Sequence, residues 1–193
     1  MELTLHSTQL EGLCLIENKM SEDICGSETP LFNAPTYAAH GLQTRFVSEN
    51  LKQLEPQSLQ GIYYQKSGRM AQMVTLLSGA ISMIGVDLRR GTKTCGQWVR
   101  IDLLEHQNCQ VNVGPGLGFG LATDNESASL LIRQTELYDE RDFGGVLWSD
   151  EDLEIEWPIS DPVVNPRDSY FRPLRQIHEA ALPEHKSIIR AQV

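Results

Sequence analysis

The stretch LQGIYYQ, residues 59–65, holds two adjacent tyrosines, Tyr63 and Tyr64, whose type and placement could support chemistry. In an alternating strand they point to opposite faces, so one ring can enter a cavity while the other packs in a core. A phenol facing a cavity can polarise a carbonyl oxygen or move a proton. Its reference pKa of about 10 makes it a reluctant base at neutral pH. Arg133 is a second candidate, since a guanidinium can clamp a phosphate or carboxylate with two parallel N–H bonds. Turned outward it would be an ordinary surface arginine. Alternation separates it from its neighbour Ile132, so the two are expected on opposite faces unless a bulge intervenes.

Other chemistries lack the residues they need. The five histidines (His6, His40, His106, His178, His185) are spread out with no HxH pair, so no metal site is expected. The four cysteines (Cys14, Cys25, Cys95, Cys109) form no CxxC pair and read as reduced, buried thiols of a cytoplasmic protein. The glycine-rich GPGLGFG has neither GK[ST] nor a following helix, so it is not a phosphate loop. Its glycines suit a bent strand or a close approach of backbones. No Ser-His-Asp or Cys-His arrangement is evident, and no cofactor is expected.

The elements that must position these residues read as a succession of short strands. Candidates are 8–20, about 43–47, 59–65, 73–89, 96–104, 109–123, 128–138 and 153–157, with turns at Ser78-Gly79, Arg90-Gly91, 106–108, Pro115-Gly116 and Asp124-Asn125. Strands at this spacing without intervening helical periodicity indicate an antiparallel sandwich or barrel. Helical signal is weak before the tail, where 173–186 is expected to hold one short helix stopped near Pro183. Residues 1–175 are expected to form a single domain and 176–193 a C-terminal arm.

The charge balance narrows the partners. The formal net charge is −10 with no long basic run, which argues against nucleic acid and anionic membranes. No stretch reaches the roughly 18 apolar residues of a membrane span. The opening MELTLHSTQLEG lacks the pattern of a signal peptide.

The order GIYYQ, GVDLRRGTKTCGQW, VGPGLGFGL, VLWSDEDLEIEWP and a PRD ending at Asp168 resembles the dTDP-4-dehydrorhamnose 3,5-epimerase family, from about residue 8 to 174. The resemblance implies an antiparallel, cupin-like jelly roll, a homodimer, and a small-molecule ligand of the nucleotide-sugar kind. Asp168 aligns with the carboxylate that orients the family's catalytic histidine, and Asn50, Gln65, Tyr138 and Trp148 are also retained.

The departures fall on the chemistry. Tyr63 stands where the family's R-G-L-H-Y-Q segment has its histidine base, and Gln60 stands for the arginine. Gln72 takes the place of the lysine that stabilises the enolate, and Ile132 that of the tyrosine acid, followed by Arg133 for lysine. A G-F-A-H-G-F loop has become Gly116-Leu117-Gly118-Phe119-Gly120-Leu121, and an early D-E-R-G arginine is missing from residues 22–26. As a base, a phenol near 10 is about 3.5 units, or roughly 5 kcal/mol, worse than a histidine near 6.5. Gln72 can donate a hydrogen bond but supplies no charge, and Ile132 moves no proton.

The expectation is therefore a divergent relative that acts on or binds a small carbonyl- or anion-bearing metabolite. Proton transfer or isomerisation would replace the standard epimerisation. Tyr63 and Asp168 are the expected catalytic pair, as phenol donor and carboxylate acceptor. Asn50, Gln60, Gln65, Gln72, Phe119, Ile132, Arg133 and Tyr138 are the expected ligand-binding set. The alternative is a non-catalytic dimeric jelly roll with a vestigial site, its Tyr63 ring merely filling the pocket.

Overall fold

The computed structural model describes residues 2–185. The chain opens with β1 (Leu3–Ser7), β2 (Leu13–Asn18), a small hairpin of β3 (Ser21–Asp23) and β4 (Gly26–Glu28), and a short helix, α1 (Ala34–Ala39). Next come β5 (Ser48–Leu54), β6 (Ser58–Gln65), β7 (Gln72–Ser78), β8 (Ala80–Asp87) and β9 (Trp98–Leu104). The series closes with β10 (Cys109–Val113), β11 (Leu117–Ala122), β12 (Ala128–Gln134), β13 (Phe143–Gly145) and β14 (Val163–Val164).

These strands build two sheets. The first runs β1-β2-β10-β7-β12-β5 and the second β13-β6-β11-β8-β9, with every pairing antiparallel except β14, which joins β6 in parallel. This is the antiparallel jelly roll expected of the sequence. The turns at Ser78-Gly79 and Pro115-Gly116 carry the chain from one sheet to the other, so consecutive strands face each other instead of pairing. Gly79 makes the first crossing feasible: its φ is +82°, and a Cβ there would lie 2.1 Å from the Ser127 carbonyl oxygen.

The alternation of each strand explains three separate cores. Val74, Leu76, Val111 and Leu130 of the first sheet meet Ile81, Met83, Ile101 and Leu121 of the second in the main core. On the far side of the second sheet, Ile62, Tyr64, Ile84 and Val86 pack under Leu88, Val146, Leu153 and Leu182. On the far side of the first, Leu3, Ile16 and Met73 pack around Tyr37 of α1. β8 is covered on both faces, which is why AISMIGVD is almost continuously apolar. A truncation there, such as Ile84→Ala, removes contacts worth about 2–5 kcal/mol.

Several local expectations are corrected. Residues 43–47 form no strand; the strand begins at Ser48 and runs to Leu54. Its sequence, SENLKQL, is polar because it is a sheet edge, where charge discourages pairing with other chains. Residues 153–157 are turn and irregular chain, and Trp157 instead covers Gly120, where a Cβ would meet its ring at 2.6 Å. Helix α1 is started by Asn33, whose side chain accepts from the Thr36 N–H, with a proline in the first turn.

The tail holds two 3-10 turns, Leu174–Gln176 and Glu179–Ala181, rather than an α-helix. The last residue of that expected helix, and residues 186–193 of the expected arm, lie outside the described residues. As far as residue 185 the tail is packed down: Leu182 is buried, and the Arg90 N–H donates to the Pro183 carbonyl at 2.8 Å. Among the described residues no helix is long and apolar enough to cross a membrane.

Candidate active site

A cavity of about 390 Å³ opens between the two sheets. β5 contributes Asn50 and Lys52, β7 Gln72, and β12 Ile132 and Gln134; from the facing sheet come Gln60, Tyr63 and Gln65 of β6 and Phe119 of β11. Tyr138 and Phe143 close one side. Every residue expected in the ligand-binding set lines this cavity except Arg133.

A bulge in β6 explains how three residues of uneven spacing share one wall. Phe119 pairs with Tyr63 but Leu121 pairs with Gln60, so three steps along β6 oppose two along β11. The extra residue reverses the alternation, and Gln60 faces the cavity together with Tyr63 and Gln65. Tyr64 has its ring in the core on the far side of the sheet, although its edge reaches the lining.

Tyr63 is the cavity's most distinctive group. Its Oη donates to Oδ2 of Asp168 at 2.6 Å, and the Gly61 N–H donates to the same oxygen at 3.2 Å. Asp168 starts a 3-10 turn (Asp168–Tyr170) behind the cavity wall and is fully buried. Its other oxygen, Oδ1, has no hydrogen bond among the described residues and lies 3.6 Å from Arg167 Nε. The Arg167 guanidinium sits over the Tyr63 ring at 5.3 Å and over the Phe143 ring at 4.7 Å. Phe143 and Phe171 pack against Tyr63 at centroid distances of 5.1 and 6.1 Å, holding the ring in place.

These surroundings keep the phenol protonated. Burial, then the hydrogen bond to Asp168, push the Tyr63 pKa up to about 12, with Arg167 pulling the other way. A phenol at about 12 costs on the order of 7 kcal/mol to ionise at pH 7. Free phenolate is excluded as the base.

The remaining polar groups are mostly carboxamides. Asn50 donates to Ser48 and Gln134, and Gln65 accepts from the Met70 N–H. Gln60 and Gln72 have no side-chain hydrogen bonds among the described residues, so their amides are free to meet a ligand. Ile132 adds only apolar surface. Among the described residues no group of three or more His, Cys, Asp or Glu is placed to hold a metal ion.

Arg133 corrects the expectation placed on it. From Leu130 onward β12 pairs in regular register, so Ile132 faces inward and Arg133 outward. There its Nε pairs with Glu49 at 2.6 Å, Nη1 donates to the Leu31 carbonyl at 3.3 Å, and the guanidinium lies over Phe32. It takes no part in the cavity.

Lys52 was missed, and so was Arg167. Lys52 is two residues beyond Asn50 on β5, so alternation alone would have put both on one face. The signal was lost because β5 was expected to end before it begins. Burial lowers the Lys52 pKa, the charge of Asp168 opposing that shift.

The comparisons with known proteins agree with this geometry. Residues 7–176 match the family model described as dTDP-4-dehydrorhamnose 3,5-epimerase. A dTDP-4-dehydrorhamnose 3,5-epimerase of Methanothermobacter thermautotrophicus is 27% identical over 178 residues, covering 91% of this chain and 96% of that one. The enzyme of the same name from Salmonella typhimurium is 30% identical over 166 residues, covering 84% and 90%.

Among solved structures, the dTDP-6-deoxy-D-glucose-3,5-epimerase of Legionella pneumophila, in complex with dTDP-4-keto-L-rhamnose, superposes with a TM-score of 0.91 at 27% identity. It covers 96% of this chain and 100% of its own. A 4-keto-6-deoxy sugar epimerase from the novobiocin gene cluster of Streptomyces spheroides gives 0.89 at 26%, covering 96% and 94%.

Proposed function

Because the chain belongs to the dTDP-4-dehydrorhamnose 3,5-epimerase family, we propose that its cavity takes a nucleotide-linked keto-deoxysugar and moves a proton on a carbon beside the ketone. The observation that carries this reading is the Tyr63–Asp168 hydrogen bond of 2.6 Å at the cavity wall. It joins the one phenol of the β6 wall that faces inward to a carboxylate shielded from water.

The pair works as a relay. The substrate C–H bond breaks and its proton goes to Tyr63 Oη, while the phenol's own proton passes to Asp168 Oδ2. The electron pair of the C–H bond becomes the carbon–carbon double bond of an enolate, and the charge moves to the former ketone oxygen. Return of the proton to that carbon completes an exchange. Where that carbon bears a hydroxyl, the hydroxyl proton passes to the enolate oxygen and the relayed proton adds to the former carbonyl carbon, so that the ketone moves to the neighbouring position in an isomerisation. Phenolate is never free in this sequence, which avoids the cost of ionising Tyr63 in isolation.

One relay serves one face of the sugar. Inversion at a carbon needs a proton removed from one side and returned to the other, and Ile132 delivers none from its wall. That supports an isomerisation or exchange with retention, in place of inversion at two carbons. The Legionella pneumophila relative, whose structure holds dTDP-4-keto-L-rhamnose, supports the substrate class.

The test is incubation with dTDP-4-keto-L-rhamnose in deuterated water, with the sugar carbons followed by NMR. Deuterium beside the ketone without inversion is the expected result. Deuterium with inversion at two carbons would instead mean that the ordinary epimerisation has survived. Binding without any deuterium would mean a ligand-binding protein whose site no longer reacts.

A further inference from the structure

Lys52 is the one cationic side chain among the described residues that line the cavity. It reaches in from the edge strand β5, part-buried, two positions along from Asn50. No carboxylate lies within ion-pairing distance of it among the described residues, whereas Arg133 and Arg167 are both engaged. A partly desolvated ammonium without an anion is costly unless a ligand brings one. Around it the cavity offers carboxamides, which donate hydrogen bonds but carry no net charge.

The reaction read from this cavity creates such an anion. Withdrawing a proton beside a ketone leaves a full negative charge on the ketone oxygen, and a fixed cation near that oxygen is the strongest stabiliser a protein can supply. Lys52 from one sheet and Tyr63 from the facing sheet line the same cavity, so both can reach one bound sugar. Gln72, on β7, faces the same space without a charge.

We propose that Lys52 holds the ketone oxygen of the bound sugar and carries the enolate charge during proton transfer. The inference rests on the reading of the cavity as a keto-sugar site. It also means that the cation of this site comes from β5, and that Gln72 only adds a hydrogen bond. A lysine that instead held the diphosphate of the nucleotide would have similar surroundings, so the test must separate the two oxygens.

Affinities for dTDP and for dTDP-4-keto-L-rhamnose are measured by titration calorimetry on the full chain, for the wild type, Lys52→Met and Lys52→Met/Gln72→Lys. Deuterium incorporation is measured alongside, and melting curves confirm folding. The expected result has three parts: Lys52→Met binds dTDP as the wild type does, loses about tenfold or more of its preference for the keto sugar over dTDP, and regains it when Gln72→Lys returns the charge.

An unchanged preference in Lys52→Met, or a wild type with none, overturns the proposal. So does an equal loss of affinity for both ligands, which would make Lys52 a phosphate holder. If the wild type prefers the keto sugar but incorporates no deuterium, the proton-transfer reading fails while the affinities still decide the role of Lys52.

Discussion

Tyr63 Oη and Asp168 Oδ2 meet at 2.6 Å although 105 positions of chain separate the two residues. The bulge in β6 turns Tyr63 toward the cavity, and the turn that begins at Asp168 carries a buried carboxylate to the back of the same wall. Because Oδ2 also takes the Gly61 N–H, the carboxylate is fixed by the strand that carries its phenol partner.

Removing that contact has two separable effects. Tyr63→Phe keeps the ring packing against Phe143 and Phe171 but takes a donor from a buried carboxylate, costing about 1–3 kcal/mol in denaturant unfolding. Deuterium incorporation into the keto sugar is expected to fall by about a hundredfold or more. Asp168→Asn is expected to lose incorporation similarly, since an amide cannot accept the phenol's proton.

Alkaline titration reads the same site optically. Tyr37 and Tyr63 are both pushed up to about 12, chiefly by burial. Both are expected to ionise late when absorbance near 295 nm is followed, and Tyr63→Phe to remove one late transition. The linked stability has a definite sign. Between the unfolded value near 10 and the folded value of about 12, the folded chain holds more protons. The contribution is therefore complete below pH of about 10 and lost as pH rises through about 12.

Acid acts through a different pair. Asp87 is fully buried and takes two bonds from Arg89 Nε and Nη2, each 2.9 Å, and one from Thr94 Oγ1 at 2.6 Å. Burial alone would raise its pKa, but these donors prevail and hold it below the usual carboxylate range. Its stabilisation is thus present above the unfolded value and lost as pH falls through the lowered folded one. Arg89→Met leaves the carboxylate unpaired and is expected to cost about 3–5 kcal/mol in urea unfolding at pH 7. That deficit should shrink as the solution is made acidic.

Arg133 provides a contrast within one strand. Arg133→Met removes an ion pair with the half-exposed Glu49 and the contact with Phe32, a loss of about 1 kcal/mol. Affinity for dTDP-4-keto-L-rhamnose is expected to change by less than about twofold. A larger loss in calorimetric titration would show that Arg133 reaches the ligand after all.

The fold was largely legible because alternation and turn residues are local signals. GIYYQ, the continuous apolar run of β8, and the Ser78-Gly79 and Pro115-Gly116 turns all report sheet faces and crossings directly. β5 was not legible, since SENLKQL owes its polarity to its place at a sheet edge, a tertiary fact. Losing β5 also lost Lys52, whose relevance depends on which strand lies beside it. Parity separated Ile132 from Arg133 but could not say which faced inward. LEIEW alternates like a strand, yet its residues serve to cap the second sheet, with Trp157 packed on Gly120. Asp168 came from the family resemblance, because no local pattern joins a PRD turn to a tyrosine in a distant strand.

The most direct test of the central claim is the rate of deuterium incorporation from solvent into dTDP-4-keto-L-rhamnose, wild type against Tyr63→Phe, with dTDP binding measured on both. Incorporation by the wild type, lost in the variant while dTDP affinity is unchanged, is the expected result. Equal incorporation by the two proteins, or none by a wild type that binds the sugar, would contradict a proton relay through Tyr63 and Asp168.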